Sequence, residues 1–264
     1  MFLQTSLQSL LFKGQKICFA LSDRFGGVSK GAFSTLNLGY YVGDKSLDVD
    51  SNYQLITTRF YDMFCVEQGD RAALYYCQQI HSTQSVVLDK TLESLAQNRG
   101  GVSISLGEAD GIITQIPYRI CVALAADCNP ILLYDKAHHA MAVIHAGRKG
   151  VFDGILPQVF AKMNALYQTQ AADCLLYVGA SIRSCCYEVS GDICEEAMNL
   201  GFSRNVLKGN RLDLMACLQE QCENLHIQTH QVEVSPYCSC CDERLYSYRR
   251  DKTTGRYGLL AMLL

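Results

Sequence analysis

Short apolar runs bounded by polar or glycine-containing segments dominate the hydrophobic pattern of this chain. Runs of this length, rich in β-branched and aromatic residues, are typical of β-strands. The pattern predicts strands at residues 16–21, 73–76, 85–88, 111–114, 120–125, 131–134, 141–144, 175–179 and 231–234.

Fewer segments carry the helical period. A stripe of Ile155, Val159 and Met163 predicts a helix at 154–168, and others are expected at 191–200 and 212–225, with a fourth possibility at 47–63. Strand pairs mixed with helices, without a regular strand–helix alternation, indicate an α+β protein with mixed sheets.

One predicted hairpin carries candidate chemistry at its open end. The apolar runs 131–134 and 141–144 are separated by polar residues. A turn centred between Lys136 and Ala137 would place Cys128 directly opposite His145, with their Cβ atoms roughly 5 Å apart. That separation suits two ligands of one metal ion. The alternatives are a small buried thiol and a hydrogen-bonded histidine at a strand end.

Cys128, His145 and a third ligand with a neutral nitrogen would suit zinc. Three protein ligands leave a fourth position for water, as in catalytic zinc sites. His81 has no geometric link to the other two from spacing alone. Asp110, just before a predicted strand, could orient a ligand imidazole or relay a proton; the alternative is a turn aspartate that bonds its local backbone.

Two further stretches carry possible ligands. Ala146-Gly-Arg-Lys-Gly150 follows a strand and precedes a helix, so its backbone N–H groups could cradle an anion, with Arg148 and Lys149 adding charge. Glycine in a tight turn also has a purely steric explanation. Cys238-Ser-Cys-Cys241 could join Cys185-Cys186 in a four-thiolate zinc site, although the adjacent pair is not a standard zinc knuckle.

Composition narrows the class of protein. The chain has 264 residues, a net charge of -3, 49% hydrophobic and 19% charged residues, and no dense Lys/Arg cluster, which argues against nucleic-acid binding. With 4 prolines and no Gly/Ser-rich linker, residues 1–264 are expected to form a single domain. The first residues lack the basic start of a secretory signal and no apolar run could span a bilayer. We therefore expect a cytoplasmic location, reduced thiols among the 14 cysteines and no membrane partner.

Several motifs, taken in order, resemble the YfiH-like family, also called the laccase-domain or polyphenol-oxidase family. The resemblance extends from about residue 19 to residue 258. The motifs are Arg24-Phe-Gly-Gly-Val-Ser, Leu36-Asn-Leu-Gly, Val42-Gly-Asp, Gln79-Ile-His81, Glu108-Ala-Asp-Gly, Ala126-Asp-Cys128-Asn-Pro, His145-Ala-Gly, Cys185-Cys-Tyr-Glu-Val and Tyr246-Ser-Tyr-Arg-Arg followed by Thr254-Gly-Arg256.

The resemblance implies layered mixed β-sheets flanked by helices, related in fold to cysteine-hydrolase-like toxins. It also implies a zinc site at His81, Cys128 and His145. The implied activity is that of a purine nucleoside phosphorylase which also deaminates adenosine and cleaves methylthioadenosine. Its substrates are thus a purine nucleoside and phosphate, and a homo-oligomer is possible. The expected phosphate ligands are Arg24, Gly147, Arg148, Lys149 and Arg249.

This chain departs from the family pattern beside His145. The usual Trp-Arg pair of the family is Arg148-Lys149 here, and the chain has no Trp. Arg148 must then stack in place of the indole or the pocket has changed, and Lys149 lacks the bidentate fork of arginine.

Three alternatives remain open at the level of sequence. One is a copper-dependent polyphenol oxidase with Cu²⁺ in place of Zn²⁺, although 6 histidines are few for a multicopper cluster. Another is a Cys-dependent amide hydrolase with Cys128 as the nucleophile and His145 or His81 as its base. The last is a metal-binding or interaction module without catalysis.

Overall fold

Two six-stranded β-sheets form the framework of the computed structural model, which describes residues 1–97 and 101–264. The strands are β1 (Phe2–Thr5), β2 (Ile17–Ser22), β3 (Leu74–Gln78), β4 (Ser85–Leu88), β5 (Ser103–Glu108), β6 (Gly111–Thr114), β7 (Cys121–Ala125), β8 (Asn129–Asp135), β9 (Ala140–Ala146), β10 (Cys174–Val178), β11 (Leu207–Lys208), β12 (Arg211–Leu212), β13 (Val232–Val234) and β14 (Tyr257–Leu263). The α-helices are α1 (Ser46–Met63), α2 (Lys90–Gln97), α3 (Arg148–Phe152), α4 (Ile155–Tyr167), α5 (Gly191–Asn199), α6 (Leu214–Asn224) and α7 (Tyr248–Asp251).

Both large sheets are mixed. The first has the order β1-β2-β14-β7-β3-β5, and the second has the order β13-β10-β8-β9-β6-β4. Strand β3 runs parallel to β5 and β7, β4 to β6, and β10 to β13, whereas the remaining pairs in these sheets are antiparallel. The predicted α+β class with mixed sheets is confirmed.

The apolar core is layered. Alternate side chains of the two sheets meet between them, with Phe19, Tyr134 and Leu259 among the fully buried members. Helix α1 covers the outer face of the first sheet, and helices α3, α4 and α6 cover the outer face of the second. Within the described ranges, no helix is both long enough and apolar enough to cross a membrane.

The predicted strands and helices are all present, with ends that differ by about two residues at most. The pattern missed the central strand β14, whose run of Leu, Ala and Met residues favours a helix and includes Gly258. It also missed β1, β5, β11, β12, α2, α3 and α7. None of these differences changes the layering.

The predicted register of the β8–β9 hairpin is wrong by two partner positions. Pro130, not Cys128, pairs with His145. The turn is longer than expected because the Asp135 carboxylate accepts the backbone N–H groups of Ala137 (2.9 Å) and His138 (3.0 Å). A shift of two partner positions leaves every side chain on its original face, so Cys128 and His145 still point to the same side of the sheet.

Candidate metal centre and substrate cleft

Three side chains converge where β3, β8 and β9 meet at the ends of the two sheets. The ligand atoms of His81, Cys128 and His145 all lie within 4.8 Å of one another. Cys128 Sγ is 3.8 Å from His81 Nε2, and the two imidazole rings lie edge to face with their centroids 4.8 Å apart. Two nitrogens and one sulfur at this spacing can bind a single transition-metal ion.

Gly147 makes room for this arrangement. A Cβ atom at this position would lie 2.8 Å from His81 Cδ2 and 3.0 Å from Cys128 Sγ, both shorter than a van der Waals contact. The backbone of Gly147 is extended (φ −73°, ψ 172°), a conformation that any residue adopts. Glycine is therefore required here by space alone.

Asp110 connects the imidazole of His145 to the backbone of His81. Its buried carboxylate accepts a hydrogen bond from His145 Nδ1 (2.8 Å) and others from the backbone N–H groups of His81 (3.1 Å) and Ser82 (2.6 Å). His81 has a left-handed backbone with φ 58°, which these bonds support. With Nδ1 engaged, His145 presents Nε2 to the centre. This is the arrangement by which a carboxylate orients a metal-binding histidine.

The charges at the centre favour a thiolate. Burial alone would raise the pKa of Cys128, but the neighbouring His145 and His81 outweigh it and lower that pKa to about 6. Burial likewise opposes the charged form of His145, yet the Cys128 thiolate and Asp110 raise its pKa to about 9. Hydrogen bonds from His145 and Ser82 also overcome burial and lower the pKa of Asp110. A metal cation would replace the imidazolium proton as the partner of the thiolate.

The three ligand atoms lie in the wall of a cavity of about 660 Å³. This volume suits a small organic substrate. We call this cavity the cleft. Much of the rest of its wall is aromatic, and the wall also carries cationic groups. The main contributors are Tyr40, Tyr41, Tyr76, Tyr187, Tyr248, Arg249, Lys252 and Arg256.

The cationic groups of the cleft are Arg249, Lys252 and Arg256. Throughout residues 1–97 and 101–264, none of the three forms an ion pair with a carboxylate. The Arg249 guanidinium donates to the Glu188 carbonyl (2.8 Å) and lies over the Tyr187 ring. The cleft therefore has positive charge available for an anionic ligand.

Arg256 reaches the cleft through the Leu36-Asn-Leu-Gly39 motif. Asn37 Oδ1 accepts the backbone N–H groups of Gly39 and Arg256, each at 2.8 Å. A Cβ on Gly39 would lie 2.8 Å from Arg256 Cγ, so only glycine leaves room for the arginine side chain at this position. The sequence contained this motif and the Thr254-Gly-Arg256 motif, but only the fold shows that they meet.

Of the expected phosphate ligands, Arg249 lines the cleft, and Gly147 lies against His81 and Cys128 in its wall. Arg24 does not line it: its guanidinium lies 4.6 Å from the centre of the Tyr246 ring and donates to the Ser34 carbonyl.

Arg148 and Lys149 also lie outside the cleft wall. Arg148 forms an ion pair with Glu196 at 2.7 Å, and Lys149 forms one with Asp153 at 2.8 Å. The segment 147–150 is the first turn of α3, which directs both side chains toward these acids. Arg148 therefore does not stack in the cleft in place of the family's tryptophan.

The fold and the site together define a layered α+β protein with a His-Cys-His centre in an aromatic and cationic cleft. The sequence profile of the family described as multi-copper polyphenol oxidoreductase laccase matches residues 18–264, and the chain belongs to that family. The predicted resemblance is confirmed.

Several relatives carry the name of an activity. The chain is 32% identical over 253 residues to a purine nucleoside phosphorylase of Corynebacterium glutamicum, covering 95% of this chain and 96% of the relative. It is 31% identical over 186 residues to one of Clostridium acetobutylicum, covering 69% and 73%.

Solved structures share the fold. The YfiH protein of Bacillus licheniformis superposes with a TM-score of 0.83 at 24% identity, covering 98% of both chains. YlmD of Geobacillus stearothermophilus gives 0.78 at 24% identity, covering 94% of this chain and 92% of the other.

An Asp110→Asn variant should bind the metal of the cleft about 10–100-fold more weakly, the usual cost of removing a partner that orients a ligand histidine. The amide keeps the shape, but its NH₂ group meets N–H donors where a carboxylate oxygen now accepts them. Titration of the metal-free protein with Zn²⁺ against a chromophoric chelator measures the change. The control is Asp135→Asn, a buried aspartate bonded to His138 Nδ1 at the other end of β8. Equal affinities for the two variants would count against the positioning role.

Proposed function

We propose that this protein is a zinc-dependent purine nucleoside phosphorylase. The observation that carries the proposal is the cleft, in which His81, Cys128 and His145 share one cavity with aromatic walls and with cations that form no carboxylate ion pair within the described part of the chain. The names of the relatives support the same reaction class. The aromatic wall suits the flat base of a nucleoside, and the cations suit the phosphate that attacks its sugar.

The aromatic part of the cleft suits the nucleobase. Tyr40, Tyr76, Tyr187 and Tyr248 line it, and stacking of a base on an aromatic side chain contributes about 1–3 kcal/mol. The Gln79 amide forms two hydrogen bonds with the backbone of Leu124: its NH₂ group donates to the Leu124 carbonyl (2.8 Å) and its oxygen accepts the Leu124 N–H (2.7 Å). Gln79 therefore stiffens the wall, and stacking on the tyrosines rather than this amide holds the base.

The cationic part suits phosphate. Arg249, Lys252 and Arg256 would bind it and direct one oxygen at the anomeric carbon of the ribose. The new C–O bond forms as the glycosidic C–N bond breaks, and the electron pair leaves with the purine, which takes up a proton. The products are ribose 1-phosphate and the free base. Zinc held by His81, Cys128 and His145 would supply a Lewis acid that polarises a bound electrophile.

We extend the proposal to deamination of adenosine and to cleavage of methylthioadenosine, the further activities that the family resemblance implies. In deamination the oxygen of a water molecule bonds to C6 of the purine as the C6–N bond breaks, and the amino group leaves as ammonia with a proton from that water, so the reaction needs no phosphate. Asp110 and His145 form a hydrogen-bonded pair beside the ligand set, at 2.8 Å, and could support a proton relay.

Purified, zinc-loaded protein tests the proposal with adenosine, inosine, guanosine and methylthioadenosine, each with and without phosphate. Chromatography should show free base and ribose 1-phosphate (the methylthio sugar phosphate from methylthioadenosine) only with phosphate, and inosine from adenosine without it. The absence of turnover of every nucleoside would defeat the proposal.

Replacing Lys252 by Ala should raise the KM for phosphate by about 10-fold or more, since a hydrogen bond to a charged group contributes about 1.5–3 kcal/mol. Phosphate-independent deamination should stay unchanged. Lys149→Ala is the matched control, because Lys149 pairs with Asp153 outside the cleft. If Lys149→Ala raised the KM for phosphate more than Lys252→Ala does, the turn at 147–150 and not the cleft would be the phosphate site.

The family description favours a second candidate, copper-dependent oxidation of phenols. Of the six histidines, only His81 and His145 line the cleft. His138 and His139 are in the turn of the β8–β9 hairpin, bonded to Asp135 and to the Leu264 carbonyl. The described residues thus offer no third or fourth imidazole to a multicopper cluster at this site. Metal analysis combined with a phenol-oxidation assay separates the two candidates.

A further inference from the structure

Four cysteine sulfurs form a second cluster outside the cleft. Those of Cys185, Cys186, Cys238 and Cys241 all lie within 4.8 Å of one another. The first two are in the loop between β10 and α5, and the others are in the loop between β13 and α7. We propose that these four residues bind a structural zinc ion that fastens the two loops to each other.

The geometry of the cluster matches a closed tetrahedral site. The sulfur of Cys241 is 3.3 Å from that of Cys186 and 3.7 Å from that of Cys185. Zinc–sulfur bonds of about 2.3 Å in a tetrahedron place neighbouring sulfurs about 3.8 Å apart. All four thiols are free, and Cys185 and Cys241 are exposed, so burial in an apolar core does not explain them. An all-sulfur set of four favours zinc.

Cys185 and Cys186 are adjacent in sequence and do not form a standard zinc knuckle, but the local backbone allows both to bind one ion. The N–H groups of Cys186 (2.9 Å) and Tyr187 (3.0 Å) both donate to the Arg183 carbonyl, which closes a tight turn through the pair. Both sulfurs of the pair thereby reach Cys241. In the second loop, Cys238 and Cys241 have the spacing of a zinc knuckle, and the Cys241 N–H donates to the Cys238 carbonyl (3.2 Å).

The first of these loops and the segment that directly follows the second loop both line the cleft. Tyr187 follows Cys186 directly, and its ring lies beneath the Arg249 guanidinium, which belongs to the segment after the second loop. Lys252 and Tyr248 belong to that same segment. An ion bound by the four sulfurs would therefore hold the tyrosine and the cations of the cleft in place without touching a ligand.

The same loops also hold the residue next to Cys128. The Asp127 carboxylate accepts Ser239 Oγ at 2.7 Å and the Arg249 N–H at 2.6 Å, and its carbonyl accepts the Ile182 N–H at 2.9 Å. Asp127 has a φ of 103°, a conformation that favours glycine. Bonds from both loops, which also carry the four cysteines, thus support a strained backbone beside Cys128.

Metal counting tests this inference without any assay of catalysis. The full chain, purified in reductant without chelator, should contain two zinc ions, and Cys128→Ala should contain one. That variant keeps all four cysteines of the cluster. Titrated with Co²⁺ after metal removal, it should show intense near-ultraviolet absorption from thiolate-to-cobalt charge transfer. A Cys128→Ala protein without bound metal, or a Cys186–Cys241 disulfide in place of metal, would overturn the inference.

Single replacements in the Cys128→Ala background identify the ligands. Cys241→Ser should remove the remaining ion and its cobalt spectrum, and trypsin should then cut faster at Arg183 and Arg244. Cys194→Ser, in helix α5 and in neither cluster, should leave both unchanged. Cys240→Ser should also keep the ion; its loss there, or its retention in Cys241→Ser, would refute the proposed ligand set. The count in Cys128→Ala decides the question even if Cys241→Ser fails to fold, and it is independent of whether any nucleoside is cleaved.

Discussion

A Cys128→Ala variant is expected to lose the metal of the cleft and, with it, nearly all turnover of purine nucleosides. Cys128 provides the one sulfur among three ligand atoms, and its thiolate is the charge that His145 and His81 stabilise. We expect kcat/KM to fall by more than about 100-fold, because loss of a partner that merely orients a ligand already costs about 10–100-fold. Metal content and kcat/KM, measured on the same preparation, check the expectation.

Cys194→Ala provides the control for the loss of a thiol, since Cys194 belongs to neither cysteine cluster. Full retention of the cleft metal by Cys128→Ala would contradict the ligand role. Cys128 is also placed for a nucleophile, with an imidazole beside it and a pKa of about 6. Alkylation of Cys128 at an undiminished rate with zinc bound would therefore favour the amide-hydrolase alternative.

The second large effect is expected from Gly147→Ala. The added methyl group would meet His81 Cδ2 at 2.8 Å and Cys128 Sγ at 3.0 Å, so at least one ligand must move. Displacement of a catalytic group by about 1 Å costs about 100-fold in rate. Overpacking should also destabilise the metal-free protein by about 1–3 kcal/mol. Zinc titration, kcat/KM and thermal unfolding of the metal-free variant measure the three effects.

Gly191→Ala separates this steric effect from the general effect of replacing a glycine. Gly191 begins helix α5, and a Cβ there would meet nothing within 4 Å. We expect this variant to bind zinc and unfold as the unmodified protein does. If Gly147→Ala bound zinc with unchanged affinity, the site would be more adaptable than its close contacts indicate.

The hairpin that carries two of the ligands shows where sequence reasoning succeeded and where it stopped. The apolar runs predicted both strands and the side of the sheet on which Cys128 and His145 lie. The register depended on the Asp135 side chain, whose two bonds to the backbone lengthen the turn. Alternation fixes which face a residue occupies, but a side chain that caps a turn decides which residue it opposes.

The residues expected to bind phosphate show a different limit. Arg148 and Lys149 are neighbours of His145 in sequence, yet α3 directs them toward Glu196 and Asp153. Arg256 is distant in sequence and enters the cleft beside Gly39. Proximity along the chain does not predict the direction of a side chain. The organisation of residues 1–264 as one domain and the identity of the metal stay predictions.

The sequence by itself determined the strands and helices that alternate or repeat, the ordered motifs that define the family, and the candidate ligands His81, Cys128 and His145. Only the tertiary structure decided that Asp110 bonds the His145 imidazole and the His81 backbone, that three separate cations share a cleft, and that four cysteines from two loops meet. Periodicity records which face of an element is buried, a local property of the chain. Contacts between distant segments depend on how the layers pack, and no local pattern encodes that.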